Sequence, residues 1–116
     1  MSMIERARDL LKEGESAVVI FTRGSNFQVH GDGTGVTGYW KVTPQVDVDR
    51  VIIYRRQPDR TNEVYMAKPV AVRGPDEEDR YSIELAAVQR VGATEAKWYQ
   101  FAETQANPVR YLAKPV

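Results

Sequence analysis

A glycine-rich segment between residues 24 and 38 holds many of the groups in this chain that could bind a ligand. It contains five of the eight glycines, and the run 31–35 alternates glycine with Asp32 and Thr34, which is typical of a turn or a mobile loop. Backbone N–H groups in such a loop can bind phosphate. No Gly-Lys-Ser/Thr follows, as a Walker loop requires. We therefore interpret residues 31–35 as a structural turn, with a phosphate-binding loop as the alternative.

The only histidine, His30, could act with Ser25 and Asp32 in nucleophilic catalysis, or with Asp32 at a metal ion. No nucleophile-elbow pattern is present, and one nearby carboxylate does not complete a metal site. The chain has no cysteine, which excludes thiol catalysis and cysteine-ligated metals. The four carboxylates at residues 76–79 lack the spacing of a calcium loop and indicate a solvated turn. We predict no catalytic residue, no metal site and no cofactor, and we expect His30 to line a pocket or lie on the surface.

Side chains suited to recognising a nucleobase lie in and just after the glycine-rich segment. Hydroxyl and amide groups can hydrogen-bond to the edge of a flat heterocycle, and an aromatic ring can stack on its face. Tyr39 and Trp40 are adjacent, so on a strand they point to opposite faces and one of them could line a pocket. The predicted ligand-binding residues are Ser25, Asn26, Gln28, Trp40 and Tyr54.

Arginine supplies 11 of the 16 basic residues, in a chain of zero formal net charge. Residues 50–73 hold six basic and only two acidic side chains. The planar guanidinium suits phosphate and stacks on bases, so we predict phosphate contacts by Arg55, Arg56 and Arg60 near a hairpin turn. The alternative is that these arginines only solubilise the hairpin and pair with the acidic turn at residues 76–79.

Strands are the elements that must position these groups. Apolar residues recurring at spacings of three and four predict a helix over residues 2–13, and a second short helix is predicted over residues 94–103, with Trp98 and Phe101 on its buried face. Alternation and β-branched runs predict strands, with a bulge or sheet edge at Pro69, over residues 17–22, 27–30, 39–42, 48–56, 63–73, 80–91 and 109–112.

The predicted architecture is one α+β domain spanning residues 1–116. Short turns between consecutive strands favour a mainly antiparallel sheet, and the number of short strands favours a curled sheet or a small barrel. An N-terminal helix and a C-terminal helix would flank that sheet. Residues 48–91 in particular are expected to form three successive antiparallel strands.

The order of these segments resembles the PUA-like superfamily, and within it the EVE-type domains, over roughly residues 17–92. The resemblance rests on the run at residues 38–42 (Gly-Tyr-Trp-Lys-Val) followed by the run at residues 48–54 (Val-Asp-Arg-Val-Ile-Ile-Tyr). It implies a small curled barrel with a pocket for a modified or flipped base. The positions that match the family's pattern are Trp40, Asp49, Arg50 and Tyr54, whereas the glycine expected before Asp49 is missing.

These observations predict a non-enzymatic binding module that recognises a nucleobase or nucleotide within nucleic acid. The first alternative is a protein-interaction or accessory subunit, from a phage or a defence system, that acts through an exposed edge strand. A small enzyme that uses His30 and Asp32 is the last alternative. The first 15 residues lack the apolar run of a signal peptide, and no apolar stretch is long enough to span a bilayer. We therefore expect a cytoplasmic protein with no membrane partner.

Overall fold

The computed structural model describes residues 3–40, 48–58, 61–104 and 107–113. Within these ranges the chain forms seven strands, one 3-10 turn at Ala7–Leu10 and one short helix, α1, at Trp98–Phe101. The strands are β1 (Ser16–Thr22), β2 (Phe27–Val29), β3 (Gly35–Trp40), β4 (Arg50–Arg55), β5 (Asn62–Arg73), β6 (Tyr81–Thr94) and β7 (Val109–Ala113).

The seven strands form one mixed sheet in the order β2-β3-β6-β5-β4-β1-β7. β4, β5 and β6 are successive antiparallel neighbours, which confirms the prediction for residues 48–91. Pro69 lies in the inner strand β5, where the register shifts between Pro69 and Ala71, so the predicted bulge is confirmed. One pairing is parallel: β1 lies beside β4, with Val19 opposite Ile52. The β2–β3 excursion separates β1 and β4 in sequence, so no tight turn forces them to be antiparallel.

The sheet is strongly curled, as predicted. The rings of Phe27 on β2 and Tyr65 on β5 lie 5.1 Å apart, centroid to centroid. These strands are three steps apart, and a flat sheet would separate them by roughly 14 Å. The curl does not close into a barrel, because β2 and β7 remain the two edges of the described sheet.

Each face of the sheet has its own hydrophobic core, because successive side chains point to opposite faces. One core, called the second core below, lies on the inner face of the curved sheet and includes Phe27 and Trp40. The first core lies on the outer face, against the N-terminal segment and α1, and its buried members include Ile4, Ala7, Leu11, Val19, Ile52, Tyr54, Val64 and Phe101.

The predicted N-terminal helix over residues 2–13 is not observed in the described residues 3–13. The apolar stripe does face the sheet, but only residues 7–10 are helical, as a single 3-10 turn. The physical reason lies at the start of the segment. Met3 forms a parallel bridge with Ala93, and the Ile4 N–H donates to the Ala93 carbonyl at 2.8 Å. Pairing with β6 therefore replaces the first helical turn.

Of the predicted helix over residues 94–103, only α1 is helical in the structure. Thr94 is the last residue of β6, and its hydroxyl accepts the Ala96 N–H at 3.0 Å in a local turn before α1 begins. Phe101 is fully buried, as predicted. Trp98 is only partly buried: it packs edge-on against Phe21 and Tyr54, and its indole N–H donates to the Asn107 carbonyl at 2.7 Å.

Candidate functional site

A small polar pocket lies on the outer face of the sheet, beside β2 and β3. Its volume is about 160 Å³, and three of the five predicted ligand-binding residues line it together. Phe27 points into the curl, so Gln28 points the other way, to the outer face. The lining residues are Ser25, Asn26, Phe27, Gln28, Val36, Gly38 and Ser82. Ser82, on the neighbouring strand β6, was not predicted, because only strand pairing brings it next to Gly38.

The backbone of Asn26 is held firmly while its side chain stays exposed. Its carbonyl accepts the Gly38 N–H at 3.0 Å and the Thr37 hydroxyl at 2.8 Å. β3 and β6 approach closely at this point: a Cβ added to Gly38 would lie 2.9 Å from the Ser82 Cβ. The pocket therefore has a fixed floor and an exposed amide at its mouth.

Arg55 reaches the same segment from the end of β4. Gly24 has a φ of +106°, and a Cβ added to it would lie 3.1 Å from the Arg55 Nε. A side chain at position 24 would strain the backbone and displace the guanidinium, so glycine permits this contact. Gly24 directly precedes the pocket residues Ser25 and Asn26. The Arg55 guanidinium therefore lies beside the residue that precedes the pocket segment in the chain.

Glu63 forms ion pairs with both Arg55 and Arg90. Arg55 Nη1 lies 3.4 Å from Glu63 Oε1, Arg90 Nε lies 3.4 Å from Glu63 Oε2, and Gln57 Nε2 donates to Glu63 Oε1 at 2.8 Å. The alternative pairing of Arg55 with the acidic turn at residues 76–79 is thus wrong. Two guanidinium groups around one carboxylate leave this end of the sheet with excess positive charge.

Arg56 and Arg60 complete the predicted phosphate-binding set. Arg56 is exposed just beyond β4, and its backbone N–H donates to the Thr22 carbonyl at 2.8 Å. That bond holds Arg56 beside the end of β1, next to Arg23, whose guanidinium lies 5.8 Å from the centre of the Phe21 ring. Arg60 lies outside the described residues. Arg23 and Arg90, which had no sequence signal of their own, therefore belong to the same basic end of the sheet.

Trp40 and Tyr54, which the sequence assigns to stacking on a base, both lie in hydrophobic cores. Trp40 is 8% exposed and packs in the second core. Tyr54 is fully buried in the first core, on the opposite face of the sheet. Its hydroxyl donates to the Ala96 carbonyl at 2.7 Å and accepts from Asn62 Nδ2 at 2.8 Å, so its polar end is already bound. Each ring is buried because the position of its residue on the strand turns it towards one of the two hydrophobic cores.

His30 and Asp32 lie in the turn that joins β2 to β3. The Asp32 carboxylate accepts the Thr34 N–H at 3.1 Å and the Thr34 hydroxyl at 2.6 Å, and these bonds lower the pKa of Asp32 below its usual value. The turn is thus held by its own side chains, as the structural interpretation of residues 31–35 predicts. His30 lines a groove of about 440 Å³ that shares Val36 and Ser82 with the polar pocket.

A wide acidic groove of about 870 Å³ opens on the other side of Asn26. Its walls include Asp76, Glu77 and Glu78 in the predicted exposed turn, which also pairs Glu78 with Arg80 at 3.6 Å. Asn26 therefore lines both the polar pocket and the acidic groove.

Among the described residues, no group of three or more histidine and carboxylate side chains is arranged to hold a metal ion. In those same residues no helix has the length and apolar character needed to cross a membrane.

No protein-family model matches this chain, and neither a curated protein nor a solved structure is significantly similar to it.

Proposed function

We propose that this domain is a non-enzymatic binding module for nucleic acid that recognises a nucleobase through its polar pocket. The observation that carries the proposal is the contact between Gly24 and Arg55. The Arg55 guanidinium lies beside Gly24, and the next residues, Ser25 and Asn26, line the pocket. A nucleotide needs these two environments side by side, one for its phosphate and one for its base.

The chemistry of each group suits its proposed role. A carboxamide offers both donors and an acceptor, so Asn26 and Gln28 can pair with the edge of a base, and the Ser25 hydroxyl can donate or accept. The guanidinium groups of Arg55 and Arg56 can bind phosphate oxygens through charge-assisted hydrogen bonds. The pocket is smaller than the roughly 300 to 1,000 Å³ typical of small-molecule sites, which favours one edge or substituent of a base over an enclosed ligand.

The proposal includes a relationship to the PUA-like superfamily and a cytoplasmic location. A curled sheet that carries a polar pocket on a short strand supports the first, and the lack of cysteine suits a reducing compartment. The resemblance assigned Trp40 and Tyr54 to the pocket lining, whereas both lie in hydrophobic cores. Recognition in this chain therefore depends on hydrogen bonds more than on stacking.

Fluorescence anisotropy with labelled oligonucleotides tests this function. We expect the protein to bind at about 50 mM salt and to bind less tightly at about 200 mM, because neutralised phosphates release counterions. The oligonucleotides should be single- and double-stranded, with unmodified and modified bases. Absence of binding to all of them at low salt would rule out the proposed function.

Asn26→Ala should reduce discrimination between the preferred base and the others by roughly 1–3 kcal/mol, the value of one good base-edge contact. The salt dependence should stay unchanged, because Asn26 carries no charge. Asn107→Ala is the matched control, since Asn107 is also exposed but lies just before β7. Equal effects of the two substitutions would contradict a base-reading role for Asn26.

A specific observation favours the alternative of a protein-interaction or accessory subunit. Val29 on the edge strand β2 is 47% exposed, and Val70, which lines the His30 groove, is 62% exposed. Val29 lies at a sheet edge, and an exposed apolar side chain there is typical of a docking surface. If no oligonucleotide binds, protein interaction replaces nucleic-acid binding as the proposed function.

A further inference from the structure

We infer that Trp40 is a positioning residue that acts on Asn26 through the hydroxyl of Thr37. This inference rests on the proposed function, because it assigns Trp40 and Thr37 a part in base recognition without contact with the base. It replaces the stacking role that the sequence suggested for Trp40.

Three groups form a continuous hydrogen-bonded chain under the pocket. The Trp40 indole Nε1–H donates to Thr37 Oγ1 at 3.0 Å, and Thr37 Oγ1 donates to the Asn26 carbonyl at 2.8 Å. Thr37 is fully buried and Trp40 nearly so. Water therefore does not compete for these bonds, and a buried polar group that lost its partner here would stay unsatisfied.

The direction of the chain is fixed by chemistry. An indole N–H can only donate, so the Thr37 oxygen must accept from it. A hydroxyl has a single proton, and because the side facing Trp40 is occupied by an incoming donor, that proton is directed to Asn26. Bonds linked in this way polarise and strengthen one another.

The end of the chain lies at the pocket. The Asn26 carbonyl also accepts the Gly38 N–H at 3.0 Å, so it is held by two donors from β3. This carbonyl belongs to the peptide group that joins Asn26, at the mouth of the pocket, to Phe27, which is buried in the second core. Holding that peptide group restricts the directions in which the Asn26 side chain can leave the backbone.

Two substitutions at Thr37 separate the hydroxyl from the shape of the side chain. Thr37→Val keeps the volume and removes both bonds, and it should reduce base discrimination roughly tenfold, which corresponds to about 1.4 kcal/mol. Thr37→Ser keeps the hydroxyl and should restore most of that discrimination. The salt dependence of binding should be the same for both variants, because the arginines are untouched. In Thr37→Val, the Gly38 amide should also exchange with solvent faster than in the unaltered protein.

The two tryptophans provide a matched pair. Trp40→Phe removes the donor to Thr37, whereas Trp98→Phe removes a donor to Asn107, outside the pocket. Only Trp40→Phe should reduce discrimination, and it serves as the test if Thr37→Val does not fold. The inference is overturned if folded Thr37→Val discriminates as well as the unaltered protein, or if Trp40→Phe and Trp98→Phe have equal effects. If the unaltered protein binds no oligonucleotide, the proposed function fails. Unchanged Gly38 exchange in Thr37→Val or Trp40→Phe would then overturn the positioning role separately.

Discussion

Replacing both Arg55 and Arg56 by alanine should weaken oligonucleotide binding at low salt by about 100-fold or more. Each lost charge-assisted hydrogen bond to phosphate is worth roughly 1.5–3 kcal/mol, which is about tenfold or more in affinity. Because each lost contact also removes released counterions, the slope of log K against log salt should flatten by roughly one unit per arginine. Anisotropy titrations across a salt series measure both quantities.

Two controls make this prediction specific. The Arg55→Lys, Arg56→Lys variant keeps both charges and should retain the salt slope while losing part of the affinity, because lysine lacks the planar fork. Arg6→Ala removes an exposed arginine that pairs with Asp9 in the N-terminal segment, and it should change neither quantity. A loss of affinity after Arg6→Ala as large as that of the double alanine variant would indicate nonspecific charge attraction.

Tyr54→Ala should lower the free energy of unfolding by about 3–5 kcal/mol, the usual effect of removing a buried aromatic ring. Tyr54→Phe keeps the ring but removes the hydroxyl's hydrogen bonds with the Ala96 carbonyl and Asn62 Nδ2, so a loss of about 1–3 kcal/mol is expected. Denaturant unfolding monitored by tryptophan fluorescence gives both values. Tyr99→Phe is the control, because Tyr99 is 51% exposed and should tolerate the change.

The same variants decide what Tyr54 does in binding. Under conditions where Tyr54→Phe is fully folded, its affinity for oligonucleotides should equal that of the unaltered protein. A Tyr54→Phe variant as stable as the unaltered protein, but with weaker binding, would show that the Tyr54 hydroxyl contacts the ligand.

Local sequence patterns were sufficient to predict much of the sheet. Alternation in residues 80–91 and the turn residues on either side of β5 predicted β4, β5 and β6 as antiparallel neighbours, because these strands are also consecutive in the chain. The parallel pairing of β1 with β4 was beyond such reasoning. The pairing depends on where β4 joins the sheet after β2 and β3, and no local sequence pattern specifies that position.

The predicted helix over residues 2–13 shows what hydrophobic periodicity cannot predict. Ile4, Ala7 and Leu11 are buried as the pattern predicts, yet the backbone between them is mostly not helical. An apolar stripe reports which side chains face the core. It does not exclude a nearly extended segment when a strand such as β6 offers hydrogen bonds to its first residues.

The part of the candidate site that is formed by residues close together in sequence was predictable. Ser25, Asn26 and Gln28 are close in sequence, and the structure brings them to one pocket. Trp40 and Tyr54 were assigned by residue type, and their outcome depended on strand register, which decides the face that each ring occupies. Thr37 and Ser82 gave no signal, because their importance comes from pairing between β3 and β6 and from contacts that sequence spacing does not reveal.

The central claim is that residues 23–28 and the arginines at the end of β4 form one nucleic-acid surface. A nuclear magnetic resonance titration of isotope-labelled protein with an oligonucleotide at low salt tests it most directly. We expect the largest amide shift changes at residues 23–28, 38, 55 and 56, with residues 3–13 and α1 unaffected. Shift changes confined to the N-terminal segment or α1, or none at any oligonucleotide concentration, would contradict the claim.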